Sequence, residues 1–121
     1  MLSDYLSIKE EYDRLIFISN ILHDIKYSED INKLYAKYSE IDLSGIENLN
    51  NSEFTEFCVL ATYIEQAFNN KKLPGPGWVY DKRLFLPEPF FSDKSPDLVL
   101  HATQACLNHN VFMARNNFEV Y

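Results

Sequence analysis

Three histidines come nearest, in residue type and position, to catalytic chemistry in this 121-residue chain. His101 and His109 are about two helical turns apart, and His23 directly precedes Asp24. A histidine beside a carboxylate can act as a general base near neutral pH. The chain has no nucleophile elbow, metalloprotease helix or phosphate-binding loop to accompany such chemistry. We therefore expect no catalytic residues. The alternative is a small enzyme or ligand-binding domain with a site around residues 78–91 and His101 and His109.

The two cysteines do not form a pattern that predicts a metal site. Cys58 and Cys106 each lie within an apolar helical pattern, and neither has a second thiol nearby. Zinc sites need clustered Cys and His residues at short spacings, and none is present in the sequence. We expect two reduced cysteines that pack in the core, no metal and no cofactor.

The segment between Pro74 and Pro96 contains all five prolines and two of the three glycines. It also carries large aromatic rings, which a solvated linker avoids, so we expect an ordered loop over about residues 71–95. Its rings either close the open edge of a helical bundle or stay partly exposed to bind a protein. Trp, Tyr and Arg are the residue types that anchor protein interfaces. The candidate partner-binding residues are Trp78, Tyr80, Asp81, Arg83, Phe90, Phe91, Asn110 and Phe112.

Three segments before this loop carry apolar residues every three or four positions, the pattern of amphipathic helices. The second helix is expected from Ser28 to near Asp42 and the third from Ser52 to Asn70, with a loop at residues 43–51 between them. The first helix is expected over residues 3–27, with a buried stripe of Ile8, Tyr12, Leu15, Ile18, Leu22 and Ile25.

After the loop, Ser95-Pro96-Asp97 is a strong helix-start signal, because Ser caps, Pro suits the first turn and Asp meets the helix dipole. This fourth helix is expected to end at Asn110, which tolerates left-handed backbone, and to precede a short extended step at residues 111–113. The rest is too short to assign beyond a final helical turn from Asn116. The sequence thus predicts a mainly α fold in a single domain, residues 1–121. The fold is a small bundle of about four helices with a long ordered Pro- and aromatic-rich loop and a short extended C-terminal segment.

The charge is unevenly distributed along the chain. Residues 1–70 carry 13 acidic and 5 basic side chains, whereas residues 71–121 carry 5 acidic and 6 basic ones. Binding to nucleic acid requires a basic face that neutralises phosphates, so we expect no direct contact with DNA or RNA. The chain has no basic-then-apolar leader and no apolar run near the roughly 20 residues of a membrane span. We expect a cytoplasmic protein that does not bind membranes.

Residues 78–117 carry a recognisable pattern of motifs. These are Trp78-Val79-Tyr80-Asp81, then Leu84 and Leu86, then Pro89-Phe90-Phe91, and last Asn110-Val111-Phe112-Met113 with Asn116. The pattern resembles a small family of uncharacterised bacterial proteins associated with toxin–antitoxin-like or mobile-element modules. The resemblance implies no catalytic residues. We therefore expect a non-enzymatic interaction protein, antitoxin-like or regulatory, that contacts a protein partner of basic charge or a second copy of itself.

Overall fold

The computed structural model describes residues 2–114 and residue 118, and it is mainly helical, as the sequence predicts. Two 3-10 turns, Ile46–Asn48 and Gly77–Tyr80, lie in the connections. No helix among the described residues is long and apolar enough to cross a membrane. The helices are α1 (Leu2–Ser7), α2 (Glu11–Tyr27), α3 (Ile31–Ser39), α4 (Asn51–Asn70), α5 (Asp97–Leu100) and α6 (Gln104–His109), and the strands are β1 (Phe90–Phe91) and β2 (Val111–Phe112).

The central helix is α4, against which α1, α2, α6, the Gly77–Tyr80 turn and β2 all pack. It begins with a capping box: the Asn50 side chain accepts from the Glu53 N–H, and the Glu53 carboxylate accepts from the Asn50 N–H. The helix therefore begins at Asn51, one residue before the predicted start at Ser52, with Asn50 as its cap. The stretch from Phe57 to Ile64 is buried throughout, as expected for a helix enclosed by its neighbours.

The first predicted helix is two helices, because the chain breaks at residues 8–10 between α1 and α2. On a continuous helix, Tyr5 would lie two turns before Tyr12 on the same face, which points away from α4. The break turns Tyr5 into the core instead, where its hydroxyl donates to the Glu56 carboxylate at 2.8 Å. Arg14 donates to the freed Ile8 carbonyl at 3.0 Å and so stabilises the break.

The helix after α2 starts later and ends earlier than predicted. Its N-cap is Asp30, whose carboxylate accepts from the Lys33 N–H at 3.1 Å, so Ser28 is not the cap. The charged cap also suits the positive end of the helix dipole. The helix ends at Ser39, three residues before the expected end at Asp42.

The Pro- and aromatic-rich loop is ordered and packed, as its composition predicts. Trp78, Val79, Leu84 and Leu86 are buried in the main core. Gly75 is required for the close packing of this segment, since a Cβ there would lie 2.7 Å from a methyl group of Val79. The loop thus completes the hydrophobic core that the helices leave open.

The fourth predicted helix is also divided, into α5 and α6, because Thr103 starts a new helix by accepting from the Cys106 N–H at 3.3 Å. The predicted end is confirmed: Asn110 adopts left-handed backbone with φ 59°. The extended step that follows is β2, which pairs in parallel with β1 through Phe90–Val111 and Phe91–Phe112. The helical turn expected from Asn116 lies outside the described residues.

Candidate functional site

Two of the predicted partner-binding residues are buried. The Trp78 indole donates to the Tyr38 carbonyl at 2.6 Å, and its ring stacks on Phe57 with centroids 5.7 Å apart. Phe112 lies in β2, where its ring stacks on that of Phe91 at 5.2 Å. The expectation that Trp78 anchors a partner directly is corrected here, because its ring and its only polar atom are already bound within the fold.

Tyr80, Asp81 and Arg83 lie at the surface but bind mainly to each other and to the loop backbone. The Tyr80 hydroxyl accepts from the Gly75 N–H at 2.8 Å. Arg83 donates to both carboxylate oxygens of Asp81, at 3.1 and 2.9 Å. These bonds lower the pKa of Asp81 to about 2, so the carboxylate stays ionised. The three residues therefore form a fixed polar rim on the loop.

Phe90, Phe91 and Asn110 come together at the two-stranded sheet. The Phe90 N–H donates to the Asn110 carbonyl at 3.0 Å, and the Asn110 side chain donates to the Leu86 carbonyl at 2.9 Å. The Phe91 side chain is 45% exposed. Among the predicted partner-binding residues at the two-stranded sheet, Phe91 is thus the one whose aromatic ring a partner can reach.

His109 is buried in a polar network that connects α4, the loop and α6. Its Nδ1 donates to the Leu84 carbonyl at 2.7 Å, because a carbonyl oxygen can only accept. Its Nε2 lies 2.9 Å from Glu65 Oε1, with one proton between them, and Asn108 donates to Glu65 Oε2 at 2.7 Å. Glu65 and His109 side chains are each 1% exposed, so every nitrogen of this imidazole is bound within the protein.

Glu65 and Asn108 did not emerge as important from the sequence. The one signal was Glu65 itself, the single acid among the mostly apolar residues 57–68, since a carboxylate in such a place needs a buried partner. The partner itself is 44 residues away and has no sequence signature.

His101 does not join His109. It is exposed at the end of α5 and lines an open cavity of about 320 Å³ with Asp93, Ser95 and Asp97. The two histidines that the sequence suggested as a pair therefore have different environments, one buried and bonded, the other solvated.

A second cavity of about 260 Å³ lies between α2, α4 and the sheet. Three of its polar side chains form a cluster: Tyr5 donates to Glu56, and the Arg14 guanidinium lies 3.7 Å from the same carboxylate. Glu11 and Ser92 also line the cavity. Burial and the neighbouring Glu56 charge raise the pKa of the Tyr5 hydroxyl. Of the loop aromatics, Phe90 lines this cavity. The cluster explains how Tyr5 holds α1 against α4.

The two cysteines are free thiols buried in the core, as the sequence predicts. Burial raises the pKa of the Cys58 thiol to about 12, which keeps it protonated and unreactive at neutral pH. Over the described ranges, 2–114 and 118, no three His, Cys, Asp or Glu residues are grouped closely enough to hold a metal ion.

The surface that sequence reasoning missed is the side of α2 that points away from α4. The residues Tyr12, Ile16, Ser19, His23 and Tyr27 follow one another at spacings of three or four and are all exposed. Leu15 lies at their edge, where it also lines the cavity between α2, α4 and the sheet. We call these six residues the outer face. Tyr12 is 72%, Leu15 52%, Ile16 44% and Tyr27 59% exposed.

The outer face corrects the predicted buried stripe of the first helix. That stripe assigned Tyr12 and Leu15 to the core, together with Ile18, Leu22 and Ile25. The structure buries Ile18, Ile21, Leu22 and Ile25 and exposes the other two. The helix therefore carries apolar residues on two faces, and only one of them is buried within the fold.

Comparisons with family models, with curated proteins and with solved structures find no match to this chain.

Proposed function

We propose that this protein is a non-enzymatic interaction protein that acts by protein–protein contact through the outer face of α2. The observation that carries the proposal is the second apolar face of this helix. A surface helix of a folded domain normally has one apolar stripe toward the core and a polar opposite side. Large exposed apolar residues that share one face are typical of contact surfaces rather than of solvated helices.

The state of His109 favours contact over catalysis. A general base needs a ring nitrogen within reach of a substrate, and both nitrogens of His109 face protein acceptors in a buried position. Removing His109 from its network would leave the buried Oε1 of Glu65 without its partner. The arrangement thus supports a structural role for this histidine, and the enzyme alternative would need a site built without it.

The loop surface is a weaker candidate than the outer face. Tyr80 and Arg83 already have partners within the loop, whereas Tyr12, Leu15 and Ile16 offer apolar side chains on a rigid helix. Rigid apolar groups bind at a lower entropic cost than groups that must first leave other contacts. The resemblance of residues 78–117 implies an antitoxin-like or regulatory form of this function, and we include that form in the proposal.

The test is site-specific photo-crosslinking in the cells that make the protein. A photoreactive phenylalanine analogue replaces Tyr12 on the outer face. A matched control places the analogue at Leu107, an exposed apolar residue of α6 at 51% exposure. Irradiation is expected to give a defined protein adduct from position 12 and none from position 107. Absence of any adduct from position 12, or equal adducts from both positions, would overturn the proposal.

A further inference from the structure

We infer that the cavity between α2, α4 and the sheet binds a small organic cation, a primary amine on a short apolar body. The buried residues Ile18, Val59 and Met113 give the cavity an apolar floor, and the exposed Glu11 lies at its mouth. A molecule with one apolar end and one charged end fits this division. The cavity shares only Leu15 with the outer face, and its ligand does not depend on the proposed function.

The charges around the cavity favour a cation. Glu11 and Glu56 each carry a negative charge, and Arg14 carries the single positive charge of the lining. The Arg14 guanidinium lies 3.7 Å from Glu56 Oε2 and donates to the Ile8 carbonyl at 3.0 Å, so its charge is already offset within the protein. The lining is left with one uncompensated negative charge. A monocation balances this charge, whereas an anion would be repelled by two carboxylates.

An unpartnered hydroxyl also indicates a ligand, independently of the charges. Tyr63 lines the cavity and is 7% exposed, and its hydroxyl has no hydrogen-bond partner among the residues that the structure describes. Burial, the Glu56 carboxylate and, to a smaller degree, Tyr63 raise the pKa of the Tyr5 hydroxyl, so the Tyr63 oxygen lies on the side of the cavity that holds Tyr5 and Glu56. A buried hydroxyl without a partner costs free energy, so such groups normally form a hydrogen bond. A bound molecule with an N–H donor supplies one.

The polar groups of the lining match a primary ammonium, which has three N–H donors and no acceptor. Glu56 Oε2 accepts from Tyr5 at 2.8 Å, and its other oxygen, Oε1, has no donor in the described part of the chain. Glu56 Oε1, the Glu11 carboxylate and the Tyr63 hydroxyl can each accept a hydrogen bond from a ligand. Phe90 adds an aromatic ring, whose face attracts cations and packs well on apolar groups.

The volume of the cavity limits the ligand to a small molecule. Sites for drug-sized ligands measure roughly 300–1,000 Å³, and this cavity of about 260 Å³ lies below that range. At roughly 30 Å³ per non-hydrogen atom, the volume that one water takes up in the liquid, it holds about nine such atoms. Phenethylamine has this size and joins a primary ammonium to an apolar ring. Because so small a ligand makes few contacts, we expect a dissociation constant of roughly 0.1–1 mM.

Titration of the full chain with phenethylamine, followed by the NMR chemical shifts of backbone amides, tests the inference. Saturable shift changes are expected at residues that line the cavity, such as Val59 and Ser92, and not at Tyr27 of the outer face. Phenethyl alcohol has nearly the same shape without the charge, and phenylacetate carries the opposite charge. Both should bind at least about tenfold more weakly, because neither offers an ammonium to the carboxylates.

Two outcomes of the titration would overturn the inference. One is the absence of saturable shift changes up to about 10 mM phenethylamine, well above the expected dissociation constant. The other is equal binding of the amine and the alcohol, since that result would show that the carboxylates do not select the ligand. Shift changes centred away from the cavity would count against the site in the same way.

Three substitutions locate the site. Glu56→Gln keeps an acceptor for Tyr5 but removes the charge, and it should weaken phenethylamine binding at least about tenfold. Tyr63→Phe removes a hydroxyl that has no partner within the described protein, so it should weaken binding roughly threefold without lowering the free energy of unfolding. Glu40→Gln, the matched control, makes the same change of charge at an exposed acid next to α3, which contributes no residue to the lining. It should leave binding unchanged.

Circular dichroism checks that each variant folds. Wild-type affinity in a folded Glu56→Gln variant, or equal weakening by Glu56→Gln and Glu40→Gln, would overturn the inference. If Glu56→Gln does not fold, Tyr63→Phe decides, because wild-type affinity in that variant contradicts a ligand bonded to the Tyr63 hydroxyl.

Discussion

Replacing Glu65 with alanine should destabilise the protein far more than replacing it with glutamine. Alanine leaves the buried His109 Nε2 without its partner at 2.9 Å and removes the acceptor of the Asn108 amide at 2.7 Å. Breaking a buried pair by removing one member costs about 3–5 kcal/mol, because the remaining group stays desolvated and unpaired. That loss is a large fraction of the roughly 5–15 kcal/mol by which a domain is typically stable.

Glutamine should cost only about 1 kcal/mol, since its amide can satisfy both neighbours. The amide N–H₂ would donate to His109 Nε2 in the neutral tautomer, whose Nδ1 still donates to Leu84. The amide oxygen would accept from Asn108. The contrast between alanine and glutamine thus separates loss of hydrogen bonding from loss of charge.

Urea denaturation followed by circular dichroism measures these differences as free energies of unfolding. The double variant Glu65→Ala with His109→Ala should lose less than the sum of the single variants, because the second substitution removes the imidazole nitrogen that Glu65→Ala leaves unpaired. If the free energy of unfolding of Glu65→Ala lay within about 1 kcal/mol of that of wild type, the reasoning would be refuted, because removing one member of a buried, hydrogen-bonded pair should destabilise the protein by more than that. Equal losses for alanine and glutamine would show that charge rather than bonding holds the network.

Three further predictions concern the loop, one acid and one thiol. Trp78→Ala should lower the free energy of unfolding by about 3–5 kcal/mol, because it removes a large side chain from the core. Phe85→Ala, at an exposed position of the same loop, should lower it by less than about 1 kcal/mol. Thermal melts compare the two variants. Hydrogen bonds from the Lys37 ammonium and the Tyr38 hydroxyl lower the pKa of Asp24 from its ordinary value, so the stability that Asp24 contributes is present at neutral pH and is lost as pH falls through the lowered pKa. Wild type should therefore be more stable than Asp24→Asn at neutral pH, by under about 1 kcal/mol because the Lys37–Asp24 pair is exposed. Measurements of the free energy of unfolding against pH should show this difference shrinking below about pH 4. The Cys58 thiol should stay unmodified by a disulfide reagent in the native protein at about pH 8 and should react once the protein unfolds. If the native protein were modified as fast as the unfolded chain, that result would contradict the burial of this thiol.

Local signals in the sequence were reliable where the physical cause is itself local. The left-handed Asn110 at the end of α6 follows from the tolerance of asparagine for that backbone. The ordered loop follows from rings that are too apolar to remain solvated. The predicted start of α4 was one residue late because Asn50, Asn51 and Ser52 are all good caps, and only the capping box with Glu53 selects among them.

Of the candidate site, the sequence identified residue types rather than their environments. It singled out His109 but not Glu65, since the two residues belong to segments that only folding brings together. It named Trp78 as a surface anchor, and the structure buries it because α3 offers the Tyr38 carbonyl and α4 offers the Phe57 ring. Burial of a large aromatic residue depends on neighbours that are distant in the chain.

The sequence by itself determined that the chain is mainly helical, that its prolines and rings form an ordered loop, and that its cysteines are buried. These properties depend on periodicity, backbone preference and apolar content, which act within a few residues. Tertiary structure decided which apolar face of α2 meets the core. The break at residues 8–10 separates α1 from α2, and α2 then packs on α4 with Ile18, Leu22 and Ile25 in the core while Tyr12 and Leu15 stay exposed. Periodicity shows that a helix has apolar positions, but only the neighbouring elements decide which of two apolar faces is covered.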